Sequence, residues 1–446
     1  MFSLKSGMSR VTCMVCLCLM CTTPVMSAEK ISFFDAYVLA RESATDLALA
    51  RYELEGAEAQ KGIALGRILP QVNVFGQWSQ NKVDYDLGLI SQTQDYPGER
   101  YGVQVRQSLL NVPDGLEARR FDLLFQQSQQ QLAVAEADLL AAVVEAFLGV
   151  ILANLELTQF ESELHALETQ LTEARALYDR KLLPVTQVLE TQTRADTLKA
   201  DVIRASGGVE IAKEHLVKLT GVRDLEPSAT LEKFALMSRY ASAEDAAAAA
   251  IAASPMVEVA KIAVQAADKA VSREKGSWIP NIDLTYSYQY SDVGFDNLSS
   301  PPRDTSTVAV GFNYPLFEGG AGNARLRAAQ AEYRMAKTRL EGVNRETEAR
   351  ARSAWLNFQA VTERLIAAKQ AVKTAEVNVD AATKAVKAGT ARVTDTLLAL
   401  AQNTRAQRDF GSARFEFAAA WLELELATGG DPLALAPIVS KALHGS

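Results

Sequence analysis

Over residues 71–78 and again over 281–290, apolar and polar side chains alternate one by one, the period of a strand with one apolar and one wet face. Val72, Val74 and Trp78 oppose Asn73 and Gln77, with Phe75 out of place on the polar side. A partner segment sets Tyr101, Val103 and Val105 against Gly102, Gln104 and Arg106. The second pair is more regular. Ile282, Leu284, Tyr286, Tyr288 and Tyr290 stand against Asn281, Asp283, Thr285, Ser287 and Gln289, followed by Val308, Val310, Phe312 and Tyr314 against Ala309, Gly311 and Asn313. The surrounding text is itself repeated: Arg67 to Asn81 returns as Ser277 to Ser291, each copy passing from a helical pattern through a proline, Pro70 or Pro280, into a strand. A period of about 210 residues is far beyond the roughly 20–50 of solenoid repeats, so the chain reads as one duplicated unit.

After each strand pair the period lengthens to between three and four. Residues 116–181 and 322–388 run without a proline, long enough at 1.5 Å per residue to extend about 100 Å each. Leu139, Val143, Ala146, Leu148 and Ile151 recur at helical steps, as do Ala368, Ala371, Val372, Ala375 and Val379. Runs this long predict coiled-coil packing, with return helices over 185–219 and 393–427. The turns between them are duplicated as well, Lys181 to Leu189 aligning with Gly389 to Leu397. Shorter helices, 31–66 and 243–276, precede each strand pair. The expected organisation is a leader over 1–28, a first repeat over 29–221 with a hairpin at 71–110, and a linker over 222–242. A second repeat over 243–428 has a hairpin at 281–315, and a tail covers 429–446. Polar loops are expected at 81–100 and 292–305, the latter with Ser299-Ser300-Pro301-Pro302. Pro70, Pro113, Pro280 and Pro315 mark the junctions between helices and strands, which puts the loops on one side of a membrane and all the helices on the other.

The first residues mark the chain for export. Lys5 and Arg10, then the apolar stretch from Val11 to Met20, then Val25-Met26-Ser27-Ala28 form an export signal with a cut after Ser27 or Ala28. All four cysteines (Cys13, Cys16, Cys18, Cys21) lie inside it, and the large residues before Cys18 and Cys21 do not suit lipidation. Without the leader's two positive charges the net charge moves from −8 to −10, a poor match for nucleic acid. No later segment has eighteen consecutive apolar residues, so no helix is expected to span a membrane. Strands of about ten residues with one aromatic-rich apolar face instead fit a transmembrane β-barrel. His165, His215 and His444 are scattered and build no metal motif, Gly207-Gly208 and Gly429-Gly430 lack the residues of a phosphate loop, and no serine sits in a nucleophile elbow. No cofactor and no enzymatic activity are expected.

Two hairpins supply four strands, and an unclosed edge in lipid leaves backbone groups unsatisfied. Two copies would give eight strands and a filled interior, three copies twelve strands and a lumen. The small polar wet face suits the lumen, so the expected assembly is a homotrimer sharing one barrel.

The proline-to-strand starts (Leu69-Pro70-Gln71-Val72 and Ile279-Pro280-Asn281-Ile282), the exit Tyr314-Pro315-Leu316-Phe317-Glu318-Gly319-Gly320 and the two helix turns together resemble the TolC-like outer-membrane efflux proteins, across essentially the whole length after the leader. The resemblance implies an α+β channel-tunnel: a twelve-stranded trimeric barrel in outer-membrane lipid, a coiled-coil α-barrel in the periplasm of a Gram-negative bacterium, and an equatorial region between. It implies that the helix tips meet a periplasmic adaptor protein through Lys181, Leu182, Thr186, Gln187, Gly389, Thr390 and Thr394. Through the adaptor they would meet an inner-membrane ABC or proton-driven transporter. It also puts Asp395 where a ring of carboxylates narrows the pore, a cation-attracting constriction. The chain departs from the pattern in having Lys181 for a glycine, Gln187 for an aspartate and Leu398 for a second constriction aspartate. Cation block of the pore is therefore expected to be weak. The alternative for Asp395 is a solvated residue at a helix start.

Two cargo classes remain open: polypeptides of a type I secretion system, toward which the turn from Leu183 to Glu190 and the absence of a lipidation cysteine point, or small toxic compounds of a multidrug efflux pump. A structural coiled-coil surface protein would explain the helices but not four amphipathic strands tied to them in duplicate.

Overall fold

The computed structural model describes residues 29–86, 88, 91–223, 225–227, 237–292, 301–388 and 390–444. The leader with its cysteines, Gly389, the centre of the expected linker and residues 293–300 of the second loop lie outside the described residues. Elements run β1 (Glu29–Ile31), α1 (Phe33–Ser43), α2 (Thr45–Gly66), β2 (Gln71–Asp86), β3 (Ser91–Leu110), α3 (Val112–Asp179), α4 (Val185–Thr220) and β4 (Leu225–Pro227). They continue α5 (Ala243–Ala253), α6 (Pro255–Gly276), β5 (Asn281–Asp292), β6 (Arg303–Asn313), α7 (Ala321–Lys387), α8 (Val393–Ala427) and α9 (Pro432–His444).

The duplication is legible in the caps. Ser32 and Ser242, 210 positions apart, each cap a helix of 11 residues by accepting from the backbone N–H of Asp35 or Asp245. Each is followed by a helix of 22 residues ending in glycine. The first long helix differs from its expected bounds of 116–181. It starts at Val112, because Pro113 occupies the first turn, where a missing N–H costs nothing, and Asn111 caps it. It ends at Asp179, because the chain turns left-handed at Lys181 (φ 61°). The first expected loop is also corrected. Residues 81–86 and 91–100 are strand, so β2 and β3 are 16 and 20 residues long and outrun the roughly 9–11 that cross a bilayer.

The four long strands form one antiparallel sheet in the order β2-β3-β5-β6, leaving β2 and β6 as free edges. Its register aligns apolar with apolar across every pairing: Val74 with Val103, Val103 with Tyr288, Tyr286 with Val308, Ile282 with Phe312. The result is a continuous apolar face, largely exposed in the single chain, on which Tyr101 and Tyr290 stack at 4.8 Å. On the other face Phe75 lies opposite Gly102. A Cβ at Gly102 would meet the Tyr288 carbonyl oxygen at 2.3 Å and the Phe75 ring at 2.9 Å. The misplaced aromatic therefore covers a position where no side chain fits.

The main core sits midway along the long helices. Phe33 of α1 meets Phe147 of α3 edge-on at 5.5 Å, Phe358 of α7 meets Phe417 of α8 at 5.3 Å, and Leu435, Val439 and Leu443 of α9 close the cluster. By length and composition α3 contains a window apolar enough to cross a membrane. Its most apolar residues, Leu140, Val143, Val144, Phe147 and Leu148, are the buried members of this core. The segment leading into α5 is pinned there. Trp421 and Trp355 donate to the carbonyls of Met237 and Tyr240, and Arg239 pairs with the buried carboxylate of Glu425.

Candidate functional site

The end of the helices farthest from the strands gathers most of the singled-out residues. α3 closes in a Schellman turn: the Leu182 N–H donates to the Leu177 carbonyl (2.9 Å) and the Lys181 N–H to the Tyr178 carbonyl (2.8 Å). Lys181 is the left-handed residue of that turn, the only non-glycine with positive φ among the described residues. In the second repeat the Thr390 N–H makes the matching bond to the Ala385 carbonyl (3.0 Å), reinforced by its own hydroxyl. Gly389, which aligns with Lys181, lies outside the described residues. Lys181, Leu182, Thr186 and Thr390 are exposed, whereas Gln187 and Thr394 are half-buried.

Asp395 stands in the first turn of α8 and accepts from the Arg392 N–H at 2.9 Å, which caps the helix. This is the local role expected for a helix-start residue, and it explains the asymmetry with Gln187. The counterpart of Arg392 is Pro184, which has no N–H to satisfy, so a carboxylate at 187 would have no capping bond to make. The carboxylate remains exposed. One turn further, Leu398 is exposed as well (56%).

Sequence reasoning missed a cavity of about 130 Å³ between the two turns, lined by Leu177, Leu183, Gln187, Thr394, Leu397 and Leu398 among others. It brings Gln187 and Thr394, assigned separately from the two repeats, into one site. The only signal was that apolar residues continue past the helix end into the turn. Above it, Glu163 of α3 has its carboxyl pushed up by burial, an effect that Arg194 and Arg408 oppose. Pro70, Pro113, Pro280 and Pro315 lie at the opposite end, in or beside the connections between helix and sheet. Arg106 on β3 and Asp283 on β5 pair at 2.6 Å close to them. Among the described residues no group of histidine, cysteine and carboxylates could hold a metal ion.

Residues 246–430 match the family described as "Outer membrane efflux protein". The chain is 25% identical over 418 residues to the alkaline protease secretion protein AprF of Pseudomonas aeruginosa, covering 90% of this chain and 85% of that protein. It is 24% identical over 370 residues to the outer membrane protein TolC of Vibrio cholerae, covering 81% and 82%. Among solved structures, the Campylobacter jejuni CmeC outer membrane channel superposes with a TM-score of 0.78 at 14% identity, over 92% of this chain and 89% of that one, a likeness of fold.

Proposed function

We propose that this chain, a TolC-like outer-membrane efflux protein of a Gram-negative bacterium and not an enzyme, is the exit duct of a type I protein secretion system. It works as a homotrimer that shares one twelve-stranded barrel. The observation that carries the assembly is the pair of free strand edges: β2 and β6 bound a four-stranded sheet whose apolar face is exposed. In lipid each unpaired backbone group costs several kcal/mol. Three copies joined β6 to β2 leave no edge and enclose a lumen lined by the amide and hydroxyl side chains of the other face. The long helices continue that lumen through the periplasm. The exposed tip residues Lys181, Leu182, Thr186 and Thr390 receive the adaptor, which with its inner-membrane transporter opens the tip.

Three Asp395 carboxylates around the axis form the narrowest cation-binding ring, each already engaged on one side by the cap of its own helix. With Leu398 one turn away, no second ring reinforces it, so divalent block is weak. The similarity to a protease secretion protein favours polypeptide cargo. The family description supports a small-molecule efflux pump as the second reading.

The test is mass and conductance together. Detergent-solubilised protein should have the mass of three chains and open channels in planar bilayers, and Asp395→Ala should raise conductance or lessen divalent block. A folded monomer removes the shared barrel; unchanged conductance and block in the variant remove Asp395 from the gate. Deletion of the gene should abolish secretion of a protein carrying a C-terminal export signal; sensitivity to dyes and detergents with secretion intact would favour the efflux reading.

A further inference from the structure

The alternation that gives the sheet its apolar face also sorts its charges. On the wet face the described strands carry Arg100, Arg106 and Arg303 but a single carboxylate, Asp283, and Asp283 pairs with Arg106 at 2.6 Å near the helices. The other carboxylates of the sheet, among them Asp95, Glu99, Asp292 and Asp304, fall on the opposite face, where Asp304 accepts from the Tyr288 hydroxyl at 2.7 Å. The wet face therefore keeps an excess of positive charge in a chain that is acidic as a whole.

Arg100 and Arg303 stand at one level. Arg100 lies across from Ser291 and Ser291 across from Arg303, with Gln77 completing the row on β2. Each hairpin of the duplicated unit contributes one arginine, on its second strand. The row lies at the end of the sheet away from the helices, since β6 begins at Arg303 and β3 pairs with β5 no further than Glu99. Strands are about 4.8 Å apart, so the two backbones stand about 10 Å apart with Ser291 between them. Arg303 is exposed; Arg100 is half-buried, and its buried Nε has no acceptor within the chain. One donor of the row is thus withdrawn from solvent and unsatisfied.

Resting on the trimeric exit-duct reading above, we infer that these arginines form an anion-binding ring at the outer mouth of the lumen, which engages clustered carboxylates of a polypeptide leaving the duct. The strand order β2-β3-β5-β6, repeated three times, brings an arginine to every second strand of twelve. Rings of charged side chains decide which ions a pore admits, and arginine selects anions. A lumen with low-dielectric walls focuses their field, and each guanidinium can take a carboxylate through two parallel hydrogen bonds. A chain bearing several carboxylates is favoured over a lone chloride, because each further group finds another arginine of the ring. Below the row the wet face is neutral: Phe75, Gly102, Gln289 and Thr305 come next, then Asn73, Gln104, Ser287 and Thr307. The grip is confined to one level, so a passing segment is held briefly at the mouth and not along the whole barrel.

The test is block of single channels by an octapeptide of glutamate. The long helices cannot cross a planar bilayer, so they stay on the side of addition and the barrel mouth opens to the other chamber. At low salt, peptide in that chamber, made electrically negative, should interrupt the current of the parent protein, and molar salt should relieve the block. Arg100→Gln combined with Arg303→Gln should weaken the block by about tenfold or more, the loss of one charged contact being worth about that much. Arg303→Gln alone, at an exposed position, should give part of the loss. Lys82→Gln, the same change on the opposite face, should leave the block intact. Heat-modifiable migration and the mass of three chains check that each variant has folded. If trimeric parent channels are not blocked, if the arginine variants are blocked as strongly as the parent, or if Lys82→Gln loses the block equally, the ring is wrong and the trimer stands. If the unmodified protein is a monomer, the shared barrel falls and the ring with it.

Discussion

At the scale of single residues the duplicated unit shows where its two copies do different work. A left-handed lysine costs about 1–2 kcal/mol relative to its ordinary conformations. Glycine at that position returns part of this to unfolded-chain entropy. Lys181→Gly should therefore stabilise the first turn by about 0.5–1 kcal/mol, read as a rise in the urea midpoint of unfolding, whereas a β-branched residue at 181 should lower it. The opposite sign is expected at Gly102. The added atoms of Gly102→Val have nowhere to go but into the β5 backbone and the Phe75 ring, so β3 must part from β5. A loss of about 3 kcal/mol should abolish the slow-migrating folded species on gels run without heating. Normal heat-modifiable migration would show that the sheet can spread there.

The elements carry the next level of argument, and the clearest pH response belongs to the coiled coil. Burial raises the Glu163 carboxyl above its ordinary 4.5. The stability this protonated group contributes is fully present below about pH 4.5 and is lost as pH rises through the folded-state value. Glu163→Gln should keep that contribution at neutral pH, so its stability should exceed the parent's near pH 7 and converge with it near pH 4; equal slopes from pH 4 to 7 would exclude Glu163 as the source.

Much of this level was legible in the sequence. Alternation located the four strands, proline and glycine their ends, and the three-to-four period the paired helices, because each is a one-dimensional signal. The start of α3 was misjudged because Pro113 reads equally as a strand exit and as a first-turn helix residue. The tails of β2 and β3 were missed because their polar residues, such as Asn81, Lys82 and Asp95, match loop composition, while the pairing Lys82 with Asp95 and Asn81 with Tyr96 is set by the partner strand. At the tip, the relation of Gln187 to Pro184 depends on which backbone donor needs a partner, and no periodicity reports that.

For the molecule as a whole, length is the quantity the sequence controls most tightly. α3 and α7 have 68 and 67 residues, α4 and α8 have 36 and 35, and α2 and α6 have 22 each. At 1.5 Å per residue a long helix measures about 100 Å, and the two shorter ones beside it about 54 and 33 Å, so each short pair spans one long helix with room for the equatorial core between. An uninterrupted helix has a fixed rise, which makes it a ruler: on the exit-duct reading, the span from outer-membrane sheet to tip sets the gap that the duct bridges to its pump. Removing two turns, about 10 Å, from α3 alone should throw the packing out of step and prevent assembly. On the exit-duct reading, removing two turns at the same level from α3, α4, α7 and α8 together should leave channels that conduct in bilayers but export nothing in cells, because a shortened duct would stop short of the proposed pump. If the shortened protein still exported, the distance between the two membranes would be set by something other than these helices.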